Sequence, residues 1–226
     1  MGILGLIYSK WFPPSIPPQT SFKGQTILIT GGTGGLGLET AIQFVRLGAA
    51  KVIITARSLS RGDVAKSKIE ARTGIRDVVE VRELDMSSFD NVKVFAKHVT
   101  AEVKDIDYVL LNAGTYCIRY EQSIDGWEQT LQVNTLATTL LALMLLPWMK
   151  AIGSRLNKVP HLGLVSSSLH TKVKLEKLPK DNVLSYYNDE KHFLKGDQYG
   201  LSKLLLMYAS NELVKLATSP DGRYIL

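Results

Sequence analysis

Cysteine is nearly absent from this chain: Cys117 is the only one in 226 residues. An intramolecular disulfide is therefore excluded, and the composition suits a reducing compartment, the cytoplasm. Runs of like charge are also missing. The 27 basic and 21 acidic residues give a net charge of +6 that is scattered along the chain. Such a distribution speaks against a nucleic-acid partner and suits a basic cleft for an anionic cofactor. Internal repeats and low-complexity tracts are lacking, and no metal site is expected. Hydrophobic residues at 45% and charged residues at 21% are close to the average for soluble globular proteins. Wholesale disorder, a coiled coil and a collagenous chain are ruled out.

Long apolar runs are lacking too. Residues 1–8 are apolar but too short to span a bilayer, and no basic region precedes them. Leu6 stands where a myristoylation signal on Gly2 needs Ser or Thr. Pro13, Pro14, Pro17 and Pro18 then break any helix. Residues 1–23 are expected to form an arm on the domain surface. Its membrane contact would be at most peripheral, through residues 1–12, which include Ile3, Leu4, Leu6, Ile7, Trp11 and Phe12. The apolar run 140–148 is short, contains Pro147 and reads as a buried helix.

What is present, from Gly24 to the end, is one domain of alternating strands and helices. Short β-rich apolar runs predict strands at 26–30, 52–55, 78–82, 106–111 and 161–166. Helical spacing predicts helices at 38–47, 64–73, 89–103, 126–150 and 197–216. This order predicts a Rossmann-like, doubly wound α/β domain with a mostly parallel sheet and helices on both faces. The stretch 172–195 is polar and irregular, too long for an ordinary connection, and reads as a lid or substrate loop.

Between the first strand and the first helix stands Thr30-Gly31-Gly32-Thr33-Gly34-Gly35-Leu36-Gly37. Glycines serve where backbone must turn tightly and approach a pyrophosphate, and the amides opening the next helix bind the phosphates. The second strand ends Thr55-Ala56-Arg57-Ser58, without the carboxylate that would hold the ribose 2′-hydroxyl of NAD. Arg57 can pair with a 2′-phosphate instead, which predicts NADP. Asp85 suits either the adenine amino group or the cap of the following helix. Tyr199 and Lys203 are four apart and share a helical face. An ammonium beside a phenol favours the phenolate, which makes a tyrosine a usable general acid or base.

Taken together these motifs resemble the short-chain dehydrogenase/reductase family. The family's glycine turn matches Thr30 to Gly37, and its Asn-Ala-Gly element matches Asn112-Ala113-Gly114. Its helix asparagine matches Asn134, and its Tyr-x-x-x-Lys matches Tyr199 and Lys203. Its serine falls among Ser166, Ser167 and Ser168, where alignment from Val165 favours Ser167. The resemblance covers about residues 24–217. The long gap before Tyr199 and the presence of His170 resemble retinol-dehydrogenase-like members and fungal pathway reductases.

The resemblance implies hydride transfer between NADP and a ketone or secondary alcohol of a lipophilic small molecule, in a fungal secondary-metabolite pathway. Tyr199, Lys203, Ser167 and Asn134 would be catalytic, with Asn134 placing a water that links Lys203 to solvent. Gly31, Thr33, Gly35, Leu36, Gly37, Arg57, Asp85, Asn112, Ala113, Gly114, Tyr199 and Lys203 would bind the cofactor. Family members continue beyond the tyrosine helix with further strands. Arg223-Tyr224-Ile225-Leu226 reads as the start of one, so the C-terminal strands are expected to be missing from this sequence. A shortened chain opens an alternative, an impaired nucleotide-binding or interaction protein, and a homo-oligomer that completes the sheet.

Overall fold

A computed structural model describes residue 17 and residues 19–217. Both the apolar arm segment 1–12 and the expected strand at Arg223 lie outside the described residues. The strands are β1 (Thr26–Ile29), β2 (Lys51–Ala56), β3 (Val79–Glu83), β4 (Tyr108–Leu111) and β5 (His161–Leu164). They form a single sheet in the order β3-β2-β1-β4-β5, and each neighbouring pair is parallel. The order runs outward from β1 in one direction and then reverses through β4, which makes the carboxyl ends of β1 and β4 a topological switch point.

Alternation along the strands supplies a core on each face. Ile27, Ile29, Val52 and Ile54 pack under α1 (Gly35–Arg46) and α2 (Leu59–Thr73). Leu28, Ile53, Val109, Leu111 and Leu162 face α3 (Phe89–Glu102), α4 (Gln129–Leu156) and α6 (Gln198–Ala217). Both faces are covered, as a parallel sheet of continuous apolar strands requires. The fold is the doubly wound Rossmann-like one expected.

Element ends differ from the sequence reading. α1 begins at Gly35 instead of 38, because the glycine turn itself enters the helix. α2 begins at Leu59, with Ser58 at the N-cap position but no side-chain cap hydrogen bond, so an exposed first turn, Leu59 to Arg61, precedes the periodic apolar residues. α4 runs on to Leu156 through Pro147. The exposed positions of Leu143 and Pro147 explain this, since the carbonyl that the proline ring displaces faces solvent.

Among the described residues, Gln129–Leu156 is the helix long and apolar enough to cross a membrane, with a mean hydropathy of 1.6. Leu141, Leu145 and Met149 on it are fully buried against the sheet, so it is the central core helix of this fold. The stretch 172–195 is less irregular than expected. It carries short 3-10 turns and α5 (Val183–Asn188), and its Val173, Leu178, Val183, Tyr187 and Leu194 pack on Leu131 and Leu201. The end of the N-terminal arm docks as well: Phe22 meets Phe44 edge-on at 4.6 Å and Tyr108 at 5.5 Å.

Candidate active site

A cleft of about 650 Å³ opens along the carboxyl ends of all the strands. Its wall takes Gly31 and Thr33 after β1, Arg57 after β2, Asp85 after β3, Asn112 to Thr115 after β4 and Val165 after β5. Leu36, Arg61, Tyr116, Leu169, Tyr199 and Lys203 also line it. The position follows from topology: chains leaving β1 and β4 diverge to opposite faces and leave a crevice.

At the switch point the chain ends are stitched by Thr30. Its buried Oγ1 accepts from the amides of Asn112 at 3.0 Å and Ala113 at 2.9 Å. Asn112 Nδ2 donates back to Thr30 O at 3.0 Å. Gly37 lies beneath this seam, and a Cβ there would overlap Gly31 O and Asn112 Nδ2. Gly35, at φ +52°, turns the chain into α1. Neither Gly35 nor Gly37 is in the cleft wall; they shape it from behind. No side chain caps α1 and no acidic residue occupies its first turn. Its first amides therefore keep the partial positive charge that binds anions.

Arg57 lies at the far end of the cleft, joined by Arg61 from the first turn of α2. Neither guanidinium has an ion-pair partner among the described residues. Arg61 was missed in the sequence because the helix was expected to start later. Asp85 lines the same end but is already engaged: its Oδ1 accepts from Ser87 N at 2.9 Å and Ser87 Oγ at 2.6 Å. The cap of α3 is Ser88, which accepts from Asn91 N.

The opposite end is built by α6. Tyr199 is its second residue, with Lys203 one turn on. Lys203 is buried, its Nζ donates to Val165 O at 2.8 Å, and it sits 5.7 Å from the centre of the Tyr199 ring. Burial lowers the Lys203 pKa from the ordinary lysine value. Tyr116 meets the Tyr199 ring edge-on at 5.7 Å. Asn134 is fully buried in a π-helical segment, Gln132–Ala137, within α4. Its Nδ2 donates to Thr115 O and Ser202 Oγ, both at 2.9 Å, and its Oδ1 accepts from Thr115 N at 2.8 Å. Thr135 Oγ1 donates to Ser202 O at 2.9 Å, so the π segment is stapled to α6 beside Lys203. π segments of this kind recur at functional sites.

Ser167 is placed differently. It caps a 3-10 turn, its Oγ accepting from Leu169 N at 3.3 Å, and it does not line the cleft. His170 Nδ1 lies 2.5 Å from Ser167 O. Ser166 Oγ is buried and has no hydrogen-bond partner among the described residues.

One buried carboxylate escaped the sequence reading. Glu128 is fully buried, and it accepts from Thr130 N and Leu131 N at 2.9 Å and from Gln198 Nε2 at 3.0 Å. It thus caps α4 and holds the first residue of α6, next to Tyr199. Its own amide donates to Asn188 Oδ1 at 2.7 Å, which ties in the end of α5. In the sequence Glu128 stands in the first turn of the helix expected over 126–150, and only a role at the helix start could have been read from it. The helix in fact begins at Gln129.

A model of the short chain dehydrogenase family matches residues 25–157. The chain belongs to this family. Among similar family members, the short-chain dehydrogenase/reductase phmF of Phaeosphaeria nodorum is 43% identical over 209 residues, covering 92% of this chain and 62% of that one. The short-chain dehydrogenase/reductase ffsI of Aspergillus flavipes is 39% identical over 210 residues, again covering 92% and 62%. This chain therefore spans about three fifths of the length of these curated relatives. The Pseudomonas aeruginosa RhlG/NADP active-site complex superposes with a TM-score of 0.64 at 22% identity, over 89% of this chain and 69% of that one. That likeness carries the short-chain dehydrogenase fold, whose parallel sheet and flanking helices this chain shares.

Proposed function

We propose that residues 24–226, following the arm 1–23, act as an NADP-dependent oxidoreductase on a ketone or secondary alcohol of a lipophilic small molecule. The observation that carries this reading is the convergence, in one cleft, of the anion-binding turn, two unpaired arginines and the Tyr199–Lys203 pair. A dinucleotide suits the cleft: its volume is within the range of small-molecule sites, and the turn at Gly37 leaves no room for a side chain. The first turn of α1, with Gly31, Thr33 and Leu36, would hold the pyrophosphate. Arg57 and Arg61 would hold the 2′-phosphate, Asp85 the adenine, and Asn112, Ala113 and Gly114 the middle of the cofactor.

When bound, NADP supplies or accepts the hydride. Tyr199 would give or take the proton at the substrate oxygen, which needs one as the carbon changes oxidation level. Lys203 would hold the nicotinamide ribose and favour the Tyr199 phenolate. Ser167 would orient the same oxygen after a turn of the 3-10 segment. Asn134, whose amide is taken up by Thr115 and Ser202, would act by positioning α6. The fungal relatives favour a role in a fungal secondary-metabolite pathway, and we place the chain in the cytoplasm as a homo-oligomer.

A second reading, nucleotide binding without turnover, draws on the position of Ser167 outside the cleft wall. Cofactor titration with Arg57→Ala tests the NADP assignment. A lost charge-assisted contact is worth about 1.5–3 kcal/mol, so NADPH should bind roughly tenfold or more weakly while NADH changes little. Equal losses for both cofactors reject NADP. Tyr199→Phe separates enzyme from binding protein: cofactor affinity should persist while turnover collapses.

A further inference from the structure

The excursion between β5 and α6 encloses a second cavity, of about 350 Å³. Leu169, Val173, Leu178, Tyr187, Leu194 and Gly200 line it. Its lining is mainly apolar, and the charged residues that also border it, Lys172, Lys174 and Asp197, are exposed. The volume is at the lower end of small-molecule sites, which run from about 300 to 1,000 Å³.

Two features connect this cavity to the cleft. Leu169 lines both spaces. On α6, Tyr199 faces the cleft while the next residue, Gly200, faces the cavity. Contact at Gly200 is close: a Cβ there would lie 3.0 Å from Leu169 O, so the strap after β5 rests directly on the helix backbone. A substrate oxygen at Tyr199 thus has an apolar chamber one residue away, behind Leu169.

Resting on the oxidoreductase reading above, we infer that this cavity receives the apolar end of the substrate, an uncharged alkyl or aryl group several carbons from the reacting carbon. The occupant is a part of the small molecule because Leu169 borders both the cleft and the chamber, and the charged residues of the chamber, Lys172, Lys174 and Asp197, are exposed.

Calorimetric titration of the chain, loaded with oxidised NADP so that no ketone is reduced, with 2-butanone, 2-hexanone and 2-octanone tests the assignment. Each methylene that enters the cavity should tighten binding about fourfold, the ordinary worth of burying a CH₂. Val173→Trp and Leu178→Trp fill the chamber from two sides, with thermal melting to select the variant that folds. Either one should abolish the chain-length dependence and leave 2-butanone and NADP binding unchanged. The same chain-length dependence in wild type and a folded variant overturns the proposal. So does a wild type that binds no ketone, the result expected if a protein segment occupies the chamber. Failure to bind NADP would instead sink the oxidoreductase reading, and the ketone series without cofactor would still read the cavity alone.

Discussion

Replacing Glu128 with alanine should destabilise the fold more than most single substitutions. The carboxylate is fully buried and serves the amides of Thr130 and Leu131 and the side-chain amide of Gln198. Gln198 Nε2 retains a second acceptor, Tyr187 O at 3.3 Å, so its loss is partial. Among the described residues the two helix amides have no other acceptor. Losing an N-cap costs about 0.5–2 kcal/mol, and each buried donor left unpaired costs about 1–3 kcal/mol. With partial overlap between these costs, a total of about 3–5 kcal/mol follows, against a typical domain stability of about 5–15 kcal/mol. For a domain of this size each kcal/mol moves Tm by about 2–4 °C, so the melting point should fall by roughly 6–20 °C. Glu128→Gln keeps the shape and one acceptor oxygen and should lose about 1–2 kcal/mol. Circular-dichroism melting and urea unfolding of the three proteins measure this. An alanine variant that melts within about 2 °C of wild type would refute the buried-latch argument.

Lys203→Met should show a characteristic pH dependence. Burial lowers the folded-state pKa of Lys203 below the ordinary 10.5, so between the two values the unfolded chain holds more protons and wild-type stability rises with pH. The methionine variant lacks that rise, so its stability relative to wild type should decline from pH 7 to pH 10; a relative gain over that range in chemical-denaturation curves contradicts the sign. Gly37→Ala places a Cβ against Gly31 O and Asn112 Nδ2, and overpacking of this kind costs about 1–3 kcal/mol. It should also weaken NADPH binding, and an unchanged melting point and affinity would show that the seam yields. Burial pushes the Cys117 thiol up, so it should react with Ellman's reagent only after unfolding. Prompt reaction in the native state would show that this loop opens freely.

The sequence alone determined the architecture. Strand and helix periods, and the glycine turn between 30 and 37, are local signals, because buried parallel strands are continuous apolar runs and a tight turn needs residues without side chains. It also named the pair Tyr199 and Lys203, since their spacing is a property of one helix. Tertiary structure decided what depends on residues far apart in the chain. Thr30 as the stitch to Asn112 and Ala113, across 82 and 83 positions, is one case. Glu128 meeting Gln198 across 70 positions is another. Nothing in either neighbourhood encodes its partner. The same holds for Arg61 joining Arg57 at the cleft, which depended on where α2 begins. It holds for Ser167 too: an alignment can choose the residue, but the turn that follows β5 decides which way its hydroxyl is used. Residues 172–195 looked irregular because their order comes from packing on Leu131 and Leu201, contacts that leave no period in the sequence.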